Sequence, residues 1–255
     1  EQSPGWVVDV RMQPPSLEDN TGDADRLKKA LAQELETDTV ALDFFLLKRL
    51  PARLRKWHYA CRCVVFRDSG RWQVIDVIAP KDGQPVAGIA VDLGTTRVVL
   101  RMLDLLSGEV LAHTAFDNPQ AAIGPDILTR IHYAEFPEGL DELNRLIIEG
   151  MNTEIEKLCD QAAIDAGCVY LMAVAGNTTM AHLFMGLLPR YIIREPYIPA
   201  ANVQGAVCAD DLGIRINARG RVYVFPNVGS YFGGDLISGA YSAGFHEKEE
   251  IAMLV

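Results

Sequence analysis

Apolar and polar residues alternate through WVVDVRM, residues 6–12, the period-two signature of a half-buried strand. After a polar, proline-containing turn, Leu27, Leu31 and Leu35 recur at four-residue spacing and predict an amphipathic helix. The segment TVALDFFLLKRLPARLRK, residues 39–56, reads as a second helical patch. It is expected to break at Pro51, because proline lacks an N–H and collides with the preceding turn. YACRCVVFRDSGRWQVIDVIA, residues 59–79, reads as a hairpin turning at Asp68-Ser69-Gly70. Residues 1–85 are therefore expected to form a small α+β domain without a chemical signature of its own.

The pattern changes after PKDGQPVAG, residues 80–88, whose prolines and glycines mark a domain boundary. Residues 88–118 predict a three-strand meander with a tight turn at Ser107-Gly108-Glu109. Helices follow at 124–134 and 138–162, then CVYLMAVAG at 168–176, an apolar run of the kind buried on both sheet faces. A short helix opening on Asn177 or Thr178, a strand from Arg221 and a glycine-rich helix from Gly233 come next, and IAMLV at 251–255 predicts a last strand. Strands flanked by helices and opened by an antiparallel meander indicate an α/β domain with a mixed sheet over residues 86–255.

Composition narrows the partners. Of 255 residues, 49% are apolar, enough to bury a substantial core, and the net charge of −10 argues against nucleic acid or an anionic membrane. No run of eighteen apolar residues occurs and the N-terminus lacks the order of a secretory signal, so a cytoplasmic location is expected. Five scattered cysteines fit reduced thiols. Cys61 and Cys63 share one strand face and read as ordinary strand cysteines in preference to a metal pair. The chain starts without Met and stops on an apolar run, which suggests a fragment of a longer protein.

Three loops carry candidate chemistry. In GIAVDLGTTRVVL, residues 88–100, an apolar strand ends on Asp92, and Gly94 would permit a positive φ that brings backbone amides close to an anion. Thr95 and Thr96 add hydroxyl donors, and Asp92 would need Mg²⁺ to sit beside phosphate, so the stretch reads either as a Mg²⁺–phosphate cup or as a capped hairpin turn. In AVAGNTTM, residues 173–180, Asn177, Thr178 and Thr179 open a helix whose N-terminus favours phosphate, or Asn177 is simply its N-cap. In FPNVGSYFGGDLISGAYSAG, residues 225–244, Gly229, Gly233 and Gly234 precede Asp235, which reads as a stabilising residue of the first helical turn or as a base for phosphoryl transfer. His132 and His182 are expected to be structural, and Asp126 and Arg130 to pair at i, i+4.

The order of the first and third loops resembles the sugar kinase, actin and heat-shock chaperone (ASKHA) superfamily, an actin-like, ribonuclease H-like fold. The first turn resembles that superfamily's phosphate-1 loop, and in its sugar kinases the aspartate opening the later helix is the catalytic base. GIAVDLGTT, DNPQAAIGPDILTRIHYA, AGNTTMAHLFMG, EPYIPA and FPNVGSYFGGDLISGA resemble, more narrowly, the reductive activators of corrinoid proteins. PPSLEDNTGDADRL and LPARLRK resemble that family's middle domain less specifically.

The resemblance implies an ATPase that couples ATP to returning a corrinoid cobalt(II) to cobalt(I). The partner would be a corrinoid iron–sulfur protein or a methyltransferase corrinoid subunit. Asp92, Gly94, Thr95 and Thr96 would hold Mg²⁺ and phosphates, with Asp92 the metal ligand. Asn177, Thr178 and Thr179 would line the cleft, Gly233 and Gly234 would approach the nucleotide, and Asp235 would orient water. A 2Fe–2S domain is expected upstream of Glu1, since no four-cysteine spacing occurs here. The phosphate-2 and adenosine loops are expected beyond Val255, so that the 255 residues alone are inactive, and a homodimer is expected. A small-molecule kinase on the same scaffold and a non-catalytic docking module are the alternatives.

Overall fold

A computed structural model describes residues 6–80, 83 and 85–245. They form two compact units, one running to Val86 and including Asp104–Glu109, the other comprising Ala87–Leu103 and the chain from Val110 onward.

The first unit is a four-stranded sheet with two helices. Its elements are β1 (Val7–Arg11), α1 (Asp23–Glu34), β2 (Val40–Leu42), α2 (Phe44–Lys56), β3 (Ala60–Asp68) and β4 (Arg71–Ile78). The strand order is β1-β3-β4-β2, antiparallel except for the β2–β4 pair. Leu27 and Leu31 of α1 and Leu46, Leu50 and Leu54 of α2 are buried against Cys61, Cys63, Val65 and Val74. The expected hairpin turn has Ser69 and Gly70 both at positive φ, as a two-residue turn matching strand twist requires.

Pro51 does not break α2; it lies inside it. The missing amide forfeits one hydrogen bond, to the carbonyl four residues back, while three leucines at helical spacing stay buried on one face. The first residues of the same segment form β2, too short for a period to be legible, and Asp43 then caps α2 by accepting from Leu46 N at 2.9 Å.

The second unit carries a six-stranded sheet in the order β7-β6-β5-β8-β10-β9. Its elements are β5 (Ala87–Leu93), β6 (Arg97–Asp104), β7 (Val110–Asp117), α3 (Ile127–Tyr133), α4 (Pro137–Ala162), β8 (Val169–Gly176), α5 (Thr178–Met185), β9 (Ala206–Cys208), β10 (Arg221–Val224) and α6 (Gly234–Ser242). The meander is present, β5–β8 and β8–β10 are parallel, and β9–β10 is antiparallel, so the sheet is mixed. Residues 251–255 lie outside the described residues.

One sheet face is dry. Ile89, Val91, Leu93, Val98, Leu100 and Met102 pack in one core with the α4 stripe Leu143, Ile147, Met151, Ile155 and Leu158. Each such side chain contributes roughly 1.5–3 kcal/mol by leaving water. The other face is not buried to match. Ala90, Asp92 and Arg101 are exposed, and Leu171, Ala173 and Ala175 of β8 are only half-buried. The apolar run at 168–176 therefore covers one full face and one partial one, because α6 lies along β8 on a side floored by small residues.

Candidate active site

Strands β5, β8 and β10 are adjacent and parallel, so the chain leaves all three at the same sheet edge. Asp92 is in register with Ala175, Leu93 with Gly176 and Val224 with Val174. Ligand sites of open α/β sheets form at this edge, beyond the carboxyl ends of the strands. The three loops singled out in the sequence are the three that meet here.

The first is Gly94-Thr95-Thr96. Gly94 is required, but not for a positive φ, which it does not adopt. A Cβ at this position would collide with the carbonyl oxygen of Arg97, so the turn closes too tightly for any side chain. The carbonyls of Gly94 and Thr96 accept from Asn118 Nδ2 (2.9 Å) and Asn118 N (2.8 Å), respectively. Arg97 is exposed and directed toward Asp117 of β7.

The second loop confirms the capping reading of Asn177 and adds to it. Asn177 Oδ1 accepts from Met180 N at 3.0 Å, while Nδ2 donates to Thr95 Oγ1 at 3.1 Å, joining the first two loops. Thr178 and Thr179 are buried, and Thr178 Oγ1 donates to Gly229 O at 3.3 Å, which ties in the third loop.

Of Gly229, Gly233 and Gly234 in the third loop, only Gly229 has positive φ. Gly233 and Gly234 serve close approach. A Cβ on Gly233 would sit 2.5 Å from Asn177 Cα, and one on Gly234 would sit 2.7 Å from Phe225 Cβ. Gly233 is the N-cap of α6, which leaves Asp235 in the first turn, exposed, its Oδ1 accepting from Leu236 N at 2.8 Å.

Asp92 and Asp235 line one groove between the open sheet face and α6, together with Arg101, Phe225, Ser238 and Tyr241. Partial loss of water, and then the charge of Asp235, push the Asp92 carboxyl above the usual carboxylate range. Asn177, Thr178 and Thr179 line a different hollow, with Leu128, Tyr197 and Tyr231. The two hollows are linked through the Asn177–Thr95 hydrogen bond.

The residues present fit a divalent cation held jointly with phosphate. Asp92 presents a hard oxygen ligand beside a second carboxylate whose repulsion a cation would relieve. Among the described residues no three His, Cys, Asp or Glu side chains converge, so phosphate oxygens and water would complete the coordination. The same finding shows that the described residues hold no four-cysteine seat for a 2Fe–2S cluster; Cys61, Cys63 and Cys159 are buried free thiols.

His132 is exposed beside Glu135, whereas His182 is fully buried. Ala200 N donates to His182 Nε2 at 3.0 Å, so Nδ1 carries the proton and donates to Thr178 O at 2.7 Å. Burial lowers its pKa. The neutral ring is thus a fixed brace between α5 and the EPYIPA segment. Below about pH 6.5 the unfolded chain takes up a proton that the folded chain refuses, so stability falls as pH drops. His182→Gln is expected to flatten thermal stability between pH 7.5 and 5.5, removing up to about 1.4 kcal/mol per pH unit of dependence. Identical pH dependence in the two proteins would exclude His182 as the group.

Sequence reasoning missed Asn118, Gln120 and Arg130. The expected Asp126–Arg130 ion pair is not formed. Asp126 caps α3 by accepting from Thr129 N at 2.9 Å, and Arg130 turns inward and is fully buried. A polar cluster inside DNPQAAIGPDILTRIHYA was the available signal, but nothing in its spacing shows which way the arginine points.

Residues 87–248 match the family model described as the RACo middle region, and residues 3–84 match the RACo linker region. The chain belongs to the RACo family, the reductive activators of corrinoid proteins. Among RACo relatives, the "Corrinoid activation enzyme RamQ" of Eubacterium limosum is 33% identical over 217 residues, 84% of this chain and 35% of its own length. A solved structure titled "Reductive activator for corrinoid,iron-sulfur protein" is 35% identical with a TM-score of 0.90, covering 98% of this chain and 40% of that one. The fold is accordingly an ASKHA-type lobe with a mixed sheet, preceded by a small α+β domain. The chain spans between a third and two fifths of the length of these RACo proteins. Among the described residues no helix is long and apolar enough to cross a membrane.

Proposed function

We propose that this chain supplies the phosphate-binding lobe of an ATP-dependent reductive activator, which returns the cobalt(II) of a corrinoid protein to cobalt(I). The observation that carries this reading is the convergence of three loops at the carboxyl ends of β5, β8 and β10, with Asp92 and Asp235 facing one groove. Membership of the RACo family supports the choice of corrinoid over a small-molecule acceptor.

In this reading the Gly94–Thr96 turn offers amides and hydroxyls to phosphate oxygens, and Asp92 holds Mg²⁺, which neutralises charge on the phosphates. Asp235, in the first turn of α6, orients the attacking water and accepts its proton. The brace formed by Asn177 holds the turn in place before ligand arrives, so little reorganisation is needed on binding. The lobe closing the other side of the groove, the 2Fe–2S domain and a cytoplasmic setting belong to the same proposal for the longer protein.

The test uses full-length protein with a cobalt(II) corrinoid protein and a low-potential reductant. ATP-dependent appearance of the cobalt(I) spectrum, with ATP hydrolysis stimulated by the corrinoid protein, is expected. Phosphate transfer to a small hydroxyl acceptor without corrinoid would replace this reading by the kinase. Cobalt reduction indifferent to ATP would leave a docking module.

A further inference from the structure

Behind the phosphate turn lies a buried cation with no anion in contact with it; the Asp126 carboxylate acts on it only from beyond ion-pair distance. Arg130 is fully buried, and among the described residues no carboxylate stands within ion-pair distance of its guanidinium. Burying an unpaired guanidinium is costly, so its donors must be satisfied by dipoles. They are. Nη2 donates to Thr95 O at 2.7 Å and Nε to Gly124 O at 2.8 Å. Nη1 reaches Gln120 Oε1 and Met180 Sδ, each at 3.2 Å. Gln120 is itself fully buried and anchored to Leu143 O of α4 at 2.8 Å, so the guanidinium is held from behind as well as from the front. Gly124 makes room for the side chain, since a Cβ there would lie 3.0 Å from Arg130 Cγ.

The contacts share a logic. Thr95 belongs to the first loop and Met180 to the helix opened by the second, so one side chain spans both from behind, as Asn177 spans them in front. With Asn118 donating to Gly94 O and Thr96 O, three successive carbonyls of the turn are drawn toward the scaffold. In a trans peptide the N–H points opposite to the C=O. The amides of Thr95 and Thr96 therefore turn away from the scaffold, the orientation an anion cup requires.

We propose that Arg130 is a positioning residue for the phosphate turn, which aligns the turn's amides through the Thr95 carbonyl and sets a fixed positive charge behind the bound anion. The proposal rests on the ATP reading for its ligand, but its effect on the turn is independent of nucleotide. A guanidinium stays protonated at any working pH, so the charge is permanent. It cannot be replaced by an ammonium without loss, because a lysine has no planar fork to reach Thr95 O, Gly124 O and Gln120 Oε1 together.

The experiment compares full-length wild type with Arg130→Lys and Arg130→Met by Mg·ATP hydrolysis and by amide hydrogen exchange across residues 93–97 without nucleotide. Arg130→Met is expected to raise KM for Mg·ATP about tenfold or more while kcat changes less than about threefold; Arg130→Lys, which keeps the charge, should fall between it and wild type. Both variants should exchange the turn amides faster. A folded Arg130→Met protein with wild-type KM and wild-type exchange overturns the proposal. Should that variant not fold, Arg130→Lys with both quantities unchanged overturns it equally. If wild type neither binds nor hydrolyses Mg·ATP, the ATP reading fails, and the exchange data alone decide whether Arg130 sets the turn.

Discussion

Full-length protein carrying Asp92→Asn is expected to bind Mg·ATP about a hundredfold more weakly, a loss of about 2.8 kcal/mol, with little change in metal-free ATP binding. The amide is isosteric, and Asp92 lies on the open sheet face outside the dry core, so the fold should survive intact. What disappears is an anionic oxygen for a hard cation that rests on one or two carboxylates. The substitution also removes a carboxylate whose pKa is raised by partial loss of water and then by the charge of Asp235, so the free protein should be no less stable than wild type. Isothermal titration with and without Mg²⁺ decides. Equal affinities in the two proteins would mean that Gly94-Thr95-Thr96 is a structural turn and nothing more.

Asp235→Asn is expected to act on the other kinetic constant. Loss of a positioned general base typically costs 10²–10⁴ in rate, so corrinoid-stimulated ATP turnover should fall at least about a hundredfold. KM for Mg·ATP should stay within about threefold, because the side chain is not assigned to phosphate. The helix is not at stake: Gly233, not Asp235, caps α6, and an asparagine oxygen can still accept from Leu236 N. Unchanged turnover would remove Asp235 from the chemistry and favour a docking role for the whole lobe.

Much of this site was legible as residue types at the ends of apolar runs. Asp92 is the next-to-last residue of β5, and Asn177 and Gly233 stand where helices open; local periodicity finds such places. Two physical reasons were misread even where the residue was right. Gly94 looked like a residue needing left-handed backbone, but it is demanded by the Arg97 carbonyl, a clash between atoms that only the closed turn brings together. Asp126 and Arg130 looked like a helical ion pair at i, i+4, but an N-cap competes for the carboxylate and a pocket of carbonyls competes for the guanidinium.

By itself the sequence determined what depends on neighbours within a few residues. The leucine spacing of α1, the Ser69-Gly70 hairpin and the strand-to-loop endings beside Asp92 and at Gly176 are all of this kind. Tertiary structure decided whatever depends on a partner far along the chain. Pro51 stays helical because the core holds Leu46, Leu50 and Leu54 on one side of it. β8 keeps one half-open face because small residues and α6 leave a groove there. Asp92 and Asp235, 143 positions apart in the 255-residue chain, face one groove because parallel pairing of β5, β8 and β10 brings their carboxyl ends to a single edge. Local periodicity marks a strand but does not name its distant partner, which tertiary packing decides.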